Sequence, residues 1–226
     1  NFCVFFHFKI YNLYMKFTKS LIKGKLIKRY KRFFADIKLN KEVVTAHCPN
    51  TGSMKGLLDI DNTVFISKND NPKRKLKYTL EIIKVKKKLV GVNTHFANKI
   101  AFHGLTNNLI KEITNSDVIK PEVFFDKETR FDFLIEKKKD KIFVEVKSVT
   151  LFRNDKIAEF PDAITSRGSK HLKTLINAIK KGYRTYLLFL VQIQGIENFK
   201  IAKDIDKEYY ENYLLAKKAG VIFLAY

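Results

Sequence analysis

Lysine interrupts nearly every apolar stretch of this chain, so no run approaches the ~20 residues needed to cross a bilayer, and the pieces left between the cations are strand-length. Such spacing requires many short elements gathered around a shared core. The 226 residues are 46% hydrophobic and 30% charged, which is enough for a real core in one large domain or two small ones and argues against disorder. Only Cys3 and Cys48 are present, far apart and without a Cys/His cluster, so neither a disulfide scaffold nor a thiolate zinc site is expected. A soluble protein of a reducing cytoplasm, without a membrane partner, fits these features.

Lys plus Arg number 44 against 23 Asp plus Glu, a formal charge of +21. Lysine accounts for 37 of the cations and arginine for 7, and Asn, Ile and Phe are abundant, so part of the excess is what an AT-rich genome would produce by drift. Whatever its origin, the resulting positive field attracts polyanions, and nucleic acid is the expected partner. A membrane surface is the weaker reading, because no long basic amphipathic helix has a clean apolar face.

Residues 1–14 are aromatic and lack a starting Met, whereas Met15 opens a stretch that reads as an ordinary N-terminus. The expectation is an upstream extension over 1–14; His7 and Lys9 break its apolar part, against a signal peptide. From Leu21 to Leu39 and Glu42 to His47 the pattern is strand and turn, followed by the reversal Pro49-Asn50-Thr51-Gly52 and by strands at Thr63 to Ser67 and Tyr78 to Val85. So many short strands in so few residues predict a small β-barrel over 15–85. Beyond Lys86 the period changes. Helices are expected near 97–114, 169–181 and 207–219, with strands at 131–136, 141–151, 185–192 and 221–225, so 86–226 reads as a second, α/β domain.

The most specific signal is Arg130-Phe-Asp132-Phe-Leu-Ile-Glu136 followed by Phe143-Val-Glu145-Val-Lys147. Residues two apart on a strand share a face, so Glu145 and Lys147 point one way while Val144 and Val146 point into a core. A hairpin turn near 137–141 would bring Asp132 alongside both. Two carboxylates can hold a hard divalent cation, Mg²⁺ or Mn²⁺, beside a scissile phosphate, and Lys147 could orient the attacking water or stabilise the developing charge. The competing reading is a solvated cross-strand ion network. Against drift, a lysine-rich chain that still sets two carboxylates opposite one another is using acids with purpose.

These residues, with LIKRYKRFFAD (Leu26 to Asp36), HCPNTGSMKGLL (His47 to Leu58), VGVNT (Val90 to Thr94), VEVKSVTL (Val144 to Leu151), EFPDAITSRGSKHL (Glu159 to Leu172) and YLLFLVQ (Tyr186 to Gln192), carry a resemblance to the sugar fermentation stimulation protein A family, SfsA. The resemblance implies a mixed α+β and α/β chain: an N-terminal OB-like β-barrel and a C-terminal PD-(D/E)XK nuclease-like α/β domain. It places Asp132, Glu145 and Lys147 at the nuclease-like triad. It further implies DNA binding with little sequence preference and a regulatory role in sugar metabolism of the maltose type. One departure stands out. Family members carry a Glu on the helix after VGVNT, and by register that position is His103, a poor Mg²⁺ ligand; Glu112, nine residues on along the expected helix, lies too far away to replace it. A catalytically degenerate nuclease fold, used as a DNA- or protein-binding module, is therefore the rival reading.

For nucleic-acid contact, Arg167, Lys170, His171 and Lys173 surround a helix start expected at Ser169, where free backbone N–H groups favour phosphate. In the barrel, Lys28, Arg29, Lys31 and Arg32 interleave with Tyr30 and Phe33, a pattern suited to backbone neutralisation and base stacking, although an amphipathic strand with Phe33 in the core explains Phe33 equally well. Asp162 is expected to be a supporting or turn residue. A homodimer is left open.

Overall fold

The computed structural model describes Phe17 and residues 20–226, so the expected extension at 1–14 lies outside the described residues. Six strands form the first sheet: β1 (Ile22–Tyr30), β2 (Phe34–Lys38), β3 (Val43–His47), β4 (Thr63–Lys68), β5 (Tyr78–Val85) and β6 (Lys88–Gly91). Their order is β3-β2-β1-β4-β5-β6, and a parallel β3–β5 pairing, Ala46 with Tyr78 and His47 with Thr79, closes the first five into a barrel. Period-two alternation explains the closure: Leu26, Ala35, Ile37, Ala46, Val64, Ile66, Leu80 and Ile83 are fully buried inside, while the lysines between them face out. The sheet runs past Val85, because β6 pairs with β5. Phe33 is not core. It sits in the β1–β2 turn behind Lys31 and Arg32, both at positive φ, and is 43% exposed.

A second sheet of five strands has the order β14-β12-β9-β8-β7. It comprises β7 (Val118–Phe124), β8 (Arg130–Lys137), β9 (Asp140–Val149), β12 (Arg184–Val191) and β14 (Ile222–Ala225), with β9, β12 and β14 parallel and β7 and β8 antiparallel. Helix α1 (Thr94–Thr106) lies on one face; α2 (Ser166–Lys180) and α3 (Lys207–Lys218) lie on the other. The run TYLLFLV of β12 is apolar throughout because both faces are covered: Tyr186, Leu188 and Leu190 pack with Ala97, Ala101 and Leu105 of α1, and Leu187 and Phe189 join Leu172 and Leu175 of α2. A small sheet of β10 (Leu151–Asn154), β11 (Ile157–Phe160) and β13 (Asn198–Ile201) flanks this core.

Two seams join barrel and α/β domain. Along β6, Gly91 N–H donates to the Gln192 carbonyl and the Lys88 ammonium donates to the carbonyls of Gln194 and Gly195. Opposite, Met54 N–H donates to Asp162 Oδ2 and Ser53 Oγ to the Asp162 carbonyl, both at 2.8 Å. One hydrophobic cluster runs from Leu26 and Ile37 of the barrel to Leu172 and Ala225 of the α/β domain.

Candidate active site

Asp132 sits where β8 parts from β9. The ladder between them ends at Phe133–Val144, and beyond it the Asp132 side chain takes over the backbone's role: Val146 N–H donates to Oδ2 at 2.7 Å. Asn98 Nδ2 of α1 donates to Oδ1 at 2.7 Å. Burial, then the negative charge of Glu145, push the Asp132 carboxyl up to about 6, against the opposing pull of Val146 N–H, Asn98 and Lys147.

Glu145 and Lys147 share a face of β9, as strand periodicity predicts, but that face is covered by α2, so Glu145 is 3% exposed and not a solvated network residue. The Lys147 ammonium donates to Glu145 Oε1 at 2.7 Å. His171, one turn into α2, bonds through Nδ1 to the same oxygen, and its Nε2 lies 3.4 Å from Arg167 Nε. The Nδ1–H tautomer satisfies both contacts. Burial raises the Glu145 carboxyl, but Lys147 and His171 together outweigh it, so the net shift is downward. Glu145 Oε2 is buried with no hydrogen-bond partner.

Asp132, Glu145, Lys147 and His171 line one cleft of ≈ 1390 Å³ between barrel and α/β domain. Arg32, Lys99, Arg130, Arg167 and Lys170 ring it, with Asn50 to Ser53 forming the barrel wall. Among the described residues no group of three or more His, Cys, Asp or Glu could hold a metal ion, and Glu159, also in the cleft, is held by Arg153 and Lys200. The oxygen pair Asp132 and Glu145 nonetheless suits a hard cation that keeps several waters: Glu145 Oε2 is unpartnered, and the negative charge of Glu145 raises the Asp132 carboxyl even with Lys147 beside them.

The expected nucleic-acid residues divide. Arg32, Arg167, Lys170 and His171 line the cleft, Lys170 paired to Glu128 at 2.8 Å. Arg29 lines it too, but its guanidinium is committed to the carbonyls of Arg32, Asn50, Gly52 and Ser53. Lys28 and Lys31 are exposed on the barrel outside the cleft, Lys28 3.7 Å from Asp36, and Lys173 lies 3.7 Å from Glu208, away from it. Helix α2 begins at Ser166, capped by the Thr165 hydroxyl, not at Ser169, which moves the basic cluster into its first two turns.

The acid expected on α1 also needs correcting. His103 stands in the last turn of the helix, outside the cleft lining; the α1 residue that touches the carboxylates is Asn98. The helix ends at Thr106, so Glu112 lies beyond it and accepts from the Tyr226 hydroxyl at 2.5 Å. Of the α1 residues lining the cleft, His95 falls before a helix starting at Ala97, and Asn93, whose side chain accepts His95 N–H as the N-cap, is the signal that places the start earlier; Asn98 and Lys99 fall within the expected helix, but no motif in the sequence singles them out.

A closed OB barrel ahead of an α/β domain, with a carboxylate pair and a lysine in the cleft between them, defines a two-domain protein built around one basic site. The chain belongs to the sugar fermentation stimulation protein family. The family's SfsA N-terminal OB domain matches residues 27–92, and its sugar fermentation stimulation protein RE domain matches residues 95–226. The sugar fermentation stimulation protein homolog of Pelagibacter ubique (strain HTCC1062) is 82% identical over 212 residues, covering 94% of this chain and 91% of the relative. That of Marinomonas sp. (strain MWYL1) is 44% identical over 227 residues, covering 99% and 88%. The structure of Pyrococcus furiosus SfsA in complex with Ca²⁺ is similar at a TM-score of 0.86 and 26% identity, covering 93% of this chain and 89% of that one.

Proposed function

We propose that this protein binds nucleic acid, DNA without strong sequence preference, in the cleft between its barrel and its α/β domain, and hydrolyses phosphodiester bonds there with Mg²⁺ or Mn²⁺ held by Asp132 and Glu145. The observation that carries this reading is the convergence of Asp132, Glu145 and Lys147 in one basic cleft, with Glu145 Oε2 buried and unpartnered. A bound divalent cation would supply Lewis acidity at the scissile phosphate and a more acidic water. Asn98 and Val146 N–H orient the Asp132 carboxylate, and His171 and Lys147 fix the Glu145 rotamer by both bonding its Oε1. Once Lys147 leaves Glu145 for a phosphate, its ammonium stabilises the charge that builds on the non-bridging oxygens. Arg32, Arg167 and Lys170 hold the flanking backbone. That a relative of this fold binds Ca²⁺ supports the metal assignment, and the relatives' names attach the family to sugar fermentation, where we place the regulatory consequence.

One observation favours a second reading. The α1 residue beside the carboxylates is the neutral Asn98, which leaves two acids where three would bind metal more firmly, as expected of a fold kept for binding alone. Incubation of the protein with labelled single- and double-stranded DNA and RNA in Mg²⁺ or Mn²⁺ decides between them. Cleavage that disappears in Asp132→Ala supports the nuclease; intact substrates that still bind support the binding module.

A further inference from the structure

Beside α1 the barrel carries a second cleft, of ≈ 620 Å³, lined by His47, Lys68, Arg74, His95 and Lys99. His95 and Lys99, one turn apart on α1, line this cleft and the main one, so the first turns of α1 present basic side chains to both. A link also exists on the barrel side. Arg32 lines the main cleft; the next residue, Phe33, is 43% exposed, and its ring stacks on His47 with centroids 6.4 Å apart and planes 19° from parallel. His47 in turn lines the second cleft. A large ring left open between two basic hollows and backed by a second ring is poorly placed for core packing and well placed for a flat ligand. Burial, and then the charges of Arg74 and His95, lower the His47 pKa. Glu81, the one carboxylate among the described residues lining the second cleft, has its two oxygens occupied by Ser67 Oγ and Asn93 Nδ2.

We infer that Phe33, stacked on His47, is a base-stacking platform for a single nucleic-acid strand that runs from the carboxylates of the main cleft past α1 into the second cleft, with its phosphates against His95, Lys99 and Arg74. The inference rests on the nucleic-acid reading of the main cleft and narrows it to substrates with a single-stranded segment. A duplex offers such a ring no open base face, because its bases already stack on one another; an unpaired base does.

The test uses the full chain without divalent metal, so that nothing is cleaved, and fluorescence anisotropy with three probes: a blunt duplex, the same duplex with a tail of about ten thymidines, and that tail made abasic. The thymidine tail should tighten binding on the order of ten-fold. Phe33→Ala and the abasic tail should each remove that gain and leave blunt-duplex affinity unchanged, and Phe33→Tyr should retain it. Equal affinity for blunt and tailed duplex, or a Phe33→Ala loss that is the same on both, overturns the platform while leaving the main cleft intact. Failure of the wild-type chain to bind any probe overturns the platform and the nucleic-acid reading together.

Discussion

Asp132 stores the most chemistry per atom. Its carboxyl, pushed up to about 6 by burial and by Glu145, is charged at neutral pH against the preference of its surroundings. For an acid whose folded pKa exceeds the unfolded value, the folded state binds more protons between the two, so stability falls as pH rises from about 4 to about 6 and stays lowered above that. Asn offers one acceptor oxygen where Asp132 uses two, so Asp132→Asn forfeits a hydrogen bond at every pH, but its stability relative to wild type should improve between pH 4 and pH 7.5 by an amount on the order of 2 kcal/mol. A stability difference between variant and wild type that stays constant from pH 4 to pH 7.5 would show that the carboxylate is not strained. The same shift gives metal binding a pH dependence: Mn²⁺ affinity measured by calorimetry should fall about ten-fold per pH unit below pH 6, as the proton takes the cation's place. The aspartate was visible in the sequence as one member of an alternating strand, but its raised pKa was not, because it arises from burial in the folded chain and from Glu145 on the neighbouring strand.

The elements show why some readings held and others did not. TYLLFLVQ and VEVKSV announce strands because both faces of β9 and β12 are covered and period two leaves nothing else to satisfy. By contrast β7, which carries VIKPEVF, escaped notice: it lies at the sheet edge, with a proline and a positive-φ Glu122 that blunt its strand signature. Arg29 looked like a phosphate ligand because alternation with Tyr30 and Phe33 exposes it on paper. In three dimensions β1 sets its guanidinium under the turn at Asn50 to Ser53, whose carbonyls would otherwise lack donors. Structural and binding roles are separable here. Arg29→Met should destabilise the barrel by about 1–3 kcal/mol in denaturant melts. Lys28→Met, whose side chain is 64% exposed, should leave the melt unchanged. Equal stability of the two variants would return Arg29 to the nucleic-acid face.

At the scale of the molecule, the +21 charge is spread over the whole surface, and the cleft selects a few of those cations. Lys147, Lys170 and Arg130 are paired with Glu145, Glu128 and Glu122, and Arg29 is committed to backbone carbonyls, which leaves Arg32, Lys99 and Arg167 as the other cleft Lys and Arg side chains with no carboxylate partner among the described residues. Binding should therefore neutralise about 3 to 5 phosphates, and log affinity against log salt should fall with a slope of about −3 to −5; a slope near −10 would mean that the whole basic surface binds and the cleft does not. The two seams, β6 against residues 192–195 and the 50–54 turn against Asp162, hold both walls of the cleft at fixed separation, so the site belongs to neither domain alone. The charge and the neighbourhood of Asp132, Glu145 and Lys147 were legible in the sequence; the seams were not, because they join residues about a hundred positions apart. Crystals soaked in Mn²⁺ give the sharpest test of whether Asp132 and Glu145 are a cation's ligands. An anomalous peak within about 2.3 Å of oxygens from both carboxylates is the expected result. A clean map there, with Glu145 still bonded only to Lys147 and His171, would contradict it.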